Sequence, residues 1–128
     1  MSYELTMLVC AVGLTILQLL LAIAGASLQV PMDELAGNRE KPFDLQGWAG
    51  RARRAHSNML ESLPLFAIVV LVAHAAGISN EMTVLGSQLF IYGRTAHAIV
   101  YVAGIAWLRT VAWLAATAGI VLILLQLA

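Results

Sequence analysis

Residues 51–66 read RARRAHSNMLESLPLF, and this stretch decides how the chain must fold. Arg51, Arg54, Asn58 and Glu61 recur at spacings of three, four and three, which places all four side chains on one helical face. From Ser62 to Gly77 the segment is apolar apart from His74 and small residues. Charges at the start of a membrane helix are expensive unless they face protein or water. The stripe therefore marks a candidate site.

Composition supports the membrane reading. The chain has 128 residues, 61% of them hydrophobic and 11% charged, and its mean hydropathy is +0.87. Soluble domains run at about 45–50% apolar and about 25% charged residues. Seven basic residues balance seven acidic ones, so neither a nucleic-acid surface nor a polybasic lipid anchor is indicated. Cys10 is the sole cysteine and lies in an apolar run, where a small buried residue is expected. The start of the chain has no basic n-region and its apolar run is too long for a cleavable signal, and lipidation motifs are absent.

Working outward from the stripe, four apolar segments follow, with helices expected over 4–31, 45–77, 81–108 and 110–128 in one domain. Each meets the length of about 20 residues needed to span a bilayer. The fold class is all-α, an integral membrane four-helix bundle, because spanning helices satisfy their own backbone. Pro31–Gly50 is the one long connection and reads as a polar loop with breakers. Arg39, Lys41, Arg51, Arg53 and Arg54 cluster in or beside it, Arg109 sits at the third turn, and the second turn has only Glu81. The positive-inside rule then puts the first and third connections in the cytoplasm and both termini outside.

That topology brings the polar groups to one depth. Glu61 lies about 15 Å along its helix from Arg51 at the standard rise. Arg94, His97 and Tyr101 share a face of the returning third segment, and Arg109 opens the fourth. Other readings stay open: Arg51 and Arg53 as snorkelling anchors, Arg109 as a topology anchor, and Glu61–Arg94 as a purely structural ion pair. His74 reads as a helix-contact histidine, and Trp48, Trp107 and Trp113 as an interfacial belt. Arginines beside one carboxylate, an amide and a phenol suit a small zwitterion richer in negative groups. No metal site is expected, since the three His are far apart and no HExxH string occurs, and no Ser-His-Asp triad is supported.

The 51–66 stretch resembles the signature of the membrane-associated proteins in eicosanoid and glutathione metabolism, the MAPEG family. Residues 94–101, RTAHAIVY, are similar to that family's third-helix motif, and Arg109 matches the arginine that opens its fourth helix. The resemblance covers essentially the whole chain. It implies a homotrimer with glutathione held between subunits near the cytoplasmic face by Arg54, Asn58, Glu61, His97 and Tyr101. Arg94 joins this binding set by depth, and Arg109 takes the catalytic role of stabilising the thiolate, as a guanidinium lowers a neighbouring thiol's pKa. An apolar second substrate would arrive from the lipid.

Three positions depart from the family pattern. Ser57 stands where some members have another arginine, Trp113 where many place a tyrosine, and Pro31-Met32 where others carry arginines. The resulting expectation is a glutathione transferase or peroxidase acting on lipophilic electrophiles. Compact length and short loops point to a bacterial inner-membrane protein with periplasmic termini. The rivals are a non-catalytic binder or scaffold of the same fold and a small transporter, the latter disfavoured by the lack of repeat symmetry.

Overall fold

An apolar run can cross a bilayer only if its backbone is satisfied internally, and this chain answers with helices. The computed structural model describes residues 1–128 as α1 (Tyr3–Ser27), a short α2 (Met32–Leu35), α3 (Gly47–Ala75), α4 (Glu81–Ala103) and α5 (Ala106–Gln126). Helices α1, α3 and α5 are long and apolar enough to cross a membrane. Helix α4 has 23 residues, but Gln88, Arg94 and His97 dilute its apolar character. Of the four spanning segments expected, three are thus long and apolar enough to cross a membrane.

The boundaries differ from expectation where local chemistry stops a helix. Helix α1 ends at Ser27 rather than near 31: the N–H groups of Leu28 and Gln29 turn back to the Gly25 and Ala26 carbonyls, and Pro31 bars the helix from resuming through Val30. The third segment ends at Ala103 rather than 108. Gly104 adopts the left-handed conformation (φ 85°), and its N–H and that of Ile105 cap the last carbonyls of α4. Helix α5 therefore starts at Ala106, which moves Arg109 from a turn into the first turn of a helix.

Packing has the polarity of a membrane protein. Leu17, Leu20, Ile68, Val111 and Leu125 face outward, while Glu4, Thr15, Gln18, Thr83, Ser87, Arg94 and His97 are buried. Cys10, expected to be buried, is exposed, because it lies off the α1 face that carries Glu4, Ala11, Thr15 and Gln18. His74 is likewise exposed in the last turn of α3 and is not a buried helix contact. In the interior Phe66 of α3 stacks on Phe90 of α4, with centroids 4.0 Å apart and planes 11° from parallel.

Two devices hold the helices. At one end, the buried carboxylate of Glu4 accepts from Ser79 Oγ (2.8 Å) and from Thr83 Oγ1, while Asn80 Nδ2 donates to Gln126 Oε1 (3.0 Å). This clasp joins α1, the N-terminus of α4 and the end of α5. Along the α4–α5 seam, small residues (Gly86, Gly93, Ala112, Ala116, Gly119) let backbones approach closely, the usual route to packing without a hydrophobic drive between helices. A Cβ at Gly86 would sit 2.6 Å from the Gly119 carbonyl oxygen.

Gly86→Val should therefore force the seam apart and lower stability by about 1–3 kcal/mol. Gly13→Ala, where a Cβ meets nothing within 4 Å, should be neutral or stabilising by up to about 1 kcal/mol through helix propensity. Thermal unfolding of the two variants in detergent checks the contrast. Equal melting temperatures would sink the close-approach argument.

Candidate functional site

The first turns of α3 carry three arginines, and helical geometry sends them in different directions. Arg51 Nε donates to the Val102 carbonyl (2.8 Å) at the C-terminus of α4, where unpaired carbonyls and the helix dipole favour a cation. It is a half-buried clamp between helices and not the free snorkelling anchor expected. Arg53 Nη1 donates to the Phe43 carbonyl of the first connection (3.1 Å). Arg54 is exposed.

One turn further along, Asn58 Oδ1 accepts from Arg94 Nη1 at 2.8 Å, joining α3 to α4. Within this chain Asn58, not Glu61, is the partner of Arg94, and Glu61 is exposed. Arg94 is 1% and His97 2% exposed. Burial of such groups is normally matched by complete hydrogen bonding. Here Arg94 Nε and Nη2 and His97 Nδ1 have no partner.

The rest of the layer follows from the helical repeat. Tyr101 lies one turn beyond His97, and their rings meet edge to face at 5.3 Å. The Arg109 guanidinium lies over the Tyr101 ring, 4.6 Å from its centroid. Arg109 belongs to the first turn of α5, whose N-cap Ile105 offers no side-chain cap. A cation at a helix N-terminus opposes the dipole. Open N–H groups, Arg109, Arg94 and His97 therefore combine into a region that attracts anions.

The structure thus assembles Asn58, Arg94, His97, Tyr101 and Arg109 into one connected layer. Arg54 and Glu61, expected in the same site, lie on the exposed surface of α3 without joining it in a single chain. Ser57 and Trp113 are also exposed. One residue escaped the sequence reading. Gln18 is 6% exposed, and neither its Nε2 nor its Oε1 has a partner. Because Glu4 contacts Thr83 and α1 runs parallel to α4, equal rise puts Gln18 level with His97. The signal was available as the single amide inside the apolar run of α1.

No curated protein matches the sequence. A family model, described as the MAPEG family, matches residues 5–128. With three helices long and apolar enough to cross a membrane and that match over essentially its whole length, the chain belongs to the MAPEG family.

Proposed function

We propose that this protein is a membrane-bound glutathione transferase or peroxidase that acts on lipophilic electrophiles entering from the bilayer. One observation carries the reading: the buried, unpartnered nitrogens of Arg94 and His97 beside the Arg109–Tyr101 stack. Each buried donor left unmade costs about 1–3 kcal/mol, and more if charged. A tripeptide with two carboxylates and a thiol supplies acceptors of the right kind.

In this reading α4 also crosses the membrane, shielded along its small-residue seam by α5. Three copies associate, because Arg54 and Glu61 on a spanning helix would otherwise face acyl chains. A neighbouring subunit then completes the site by covering them. The basic residues around the first connection put it in the cytoplasm and both termini in the periplasm of a bacterial inner membrane.

The roles divide by chemistry. Arg54, Arg94 and His97 donate to the carboxylates of glutathione, Asn58 and Tyr101 orient the peptide, and Glu61 accepts from its ammonium. Arg109 stabilises the thiolate once the thiol proton has passed to water. The sulfur lone pair then forms a C–S bond, and the leaving group departs with its bonding electrons. With a lipid hydroperoxide the thiolate attacks the terminal oxygen, the O–O bond breaks to give the sulfenic acid, and the lipid alkoxide leaves and takes a proton from water to become the alcohol. A second glutathione then converts the sulfenic acid to disulfide and water.

A non-catalytic scaffold of the same fold has one observation in its favour, namely that Arg109 and Arg94 are already engaged by Tyr101 and Asn58. Calorimetry on detergent-solubilised protein separates the two. Heat of binding at millimolar glutathione is expected, and its absence removes the enzyme reading.

Two substitutions probe the chemistry. Arg109→Ala should lower conjugation of a model electrophile about a hundredfold, the scale of losing one preorganised donor, with the oligomer intact by sedimentation. Unchanged turnover would take Arg109 out of the mechanism. Tyr101→Phe should keep Arg109 in place through the ring face, whereas Tyr101→Leu should release it and reduce turnover in parallel with Arg109→Ala. A Phe variant as impaired as the Leu variant would assign Tyr101 a role through its hydroxyl.

A further inference from the structure

Gln18 is the one polar side chain whose whole hydrogen-bonding capacity is enclosed and unspent. Both its amide nitrogen and its amide oxygen are buried without a partner. In the middle of a membrane-type helix that is expensive. Its own helix gives no relief. Thr15, one turn away on the same buried face of α1, has spent its hydroxyl proton on the Ala11 carbonyl (2.7 Å).

Two independent registers fix what lies beside it. Along α4, which runs parallel to α1, the Glu4–Thr83 hydrogen bond and equal rise put Gln18 level with His97. Along α3, which runs antiparallel, Gly25 packs on Ala49, and equal rise puts Gln18 level with His56. The Asn58–Arg94 hydrogen bond carries that level across to residue 96 of α4. Both routes arrive between Arg94 and His97. The α3 residues buried at this level, Ala55 and Met59, have no N–H or O–H in their side chains. His56 is only half-buried and lines the cavity beside the first connection. Arg94 Nε and Nη2 and His97 Nδ1, by contrast, share the enclosure of Gln18 inside one subunit.

We infer that Gln18 is a positioning residue for the glutathione site, which bonds Arg94 and His97 across at most one water and fixes which nitrogen of His97 carries the proton. The inference rests on the glutathione reading of this layer. The donors and acceptors present allow one arrangement. Arg94 can only donate, so it takes the amide oxygen of Gln18. That leaves the amide N–H groups for His97, whose Nδ1 must then accept. A neutral imidazole that accepts at Nδ1 carries its proton on Nε2. A bridging water keeps this direction, accepting from the amide and donating to Nδ1. His97 thus presents Nε2–H to a carboxylate, and one Arg94 nitrogen stays free for the same ligand. Gln18 meets part of the layer's demand from inside the subunit, and glutathione meets the rest.

Nitrogen NMR of the histidine rings in the detergent-solubilised protein tests this with no glutathione present. The His97 signal, assigned by its loss in His97→Gln, should be that of a neutral ring protonated at Nε2. Gln18→Met keeps the side chain's length and removes the amide. The preference for Nε2 should then fall about fivefold, with the His56 and His74 signals unchanged. Calorimetry should show glutathione bound about fivefold more weakly by Gln18→Met, and the double variant with His97→Gln should lose less than the product of the two single effects. A proton on Nδ1 in the unsubstituted protein would overturn the inference, whatever the variants do. So would an unchanged tautomer in Gln18→Met, a response in His56 instead of His97, or fully multiplicative losses. A Gln18→Met protein that melts higher than the parent would show the amide to be idle, and that also overturns it. Failure to bind glutathione with the expected tautomer in place would remove the glutathione reading alone and uphold the link from Gln18 to His97.

Discussion

A polar atom among acyl chains must be paired inside the protein or covered by something else, and the whole structure is organised by that requirement. The chain meets it differently at its two ends. Around Glu4 the requirement is met internally: Ser79 and Thr83 donate to the carboxylate, and Asn80 both caps α4 and reaches Gln126. Around Arg94 it is met in part, through one hydrogen bond to Asn58, while Arg94 Nε and Nη2, His97 Nδ1 and the Gln18 amide stay open. A closed network fastens helices, whereas an open one of donors at low dielectric favours an incoming acceptor. The chain thus separates a closed polar network from an open one along its helices.

The seam between α4 and α5 links the two. Gly86 and Gly119 allow backbone contact near the clasp, and Gly93 packs against Ala112 and Ala116 nearer the open layer. Bulkier residues would hold α5 away from α4. That would lift Arg109 off the Tyr101 ring, since one residue belongs to α5 and the other to α4. The relative position of the one cation read as catalytic and its aromatic support therefore depends on residues with almost no side chain.

Much of this was legible as pattern. The stripe from Arg51 to Glu61, the apolar run lengths and the RTAHAIVY string identified membrane helices, a polar depth and a family. What escaped depended on backbone conformation or on distant partners. Gly104 could be read as one more small residue in an apolar run, and only its left-handed φ divides α4 from α5 and sets Arg109 in a helix. Glu4 stands at the edge of the first apolar run with nothing nearby to mark it, because its partners lie 75 and 79 residues away. Gln18 is the single amide in α1, and its burial without a partner appears only in the folded chain. The first connection intersperses acids and bases along the sequence, and only the fold selects Arg39 and Lys41, and none of its acids, to line the space beside α1 and α3.

The opening arginines of α3 show how one pattern acquires several meanings. Successive residues on a helix point about 100° apart, so Arg51, Arg53 and Arg54 cannot serve one site. Each is a cation on a helix that enters the membrane, and so is costly unless it finds an acceptor or water. Arg51 finds it at the C-terminus of α4, and Arg53 at a loop carbonyl. Arg54 is left exposed on the same face as Glu61, one turn on either side of Asn58. Two of the three cations are thus absorbed by the subunit's own structure, and the third has no hydrogen-bond acceptor within the chain. It is this remainder, more than the number of arginines, that directs the α3 stripe towards a ligand or a neighbouring subunit.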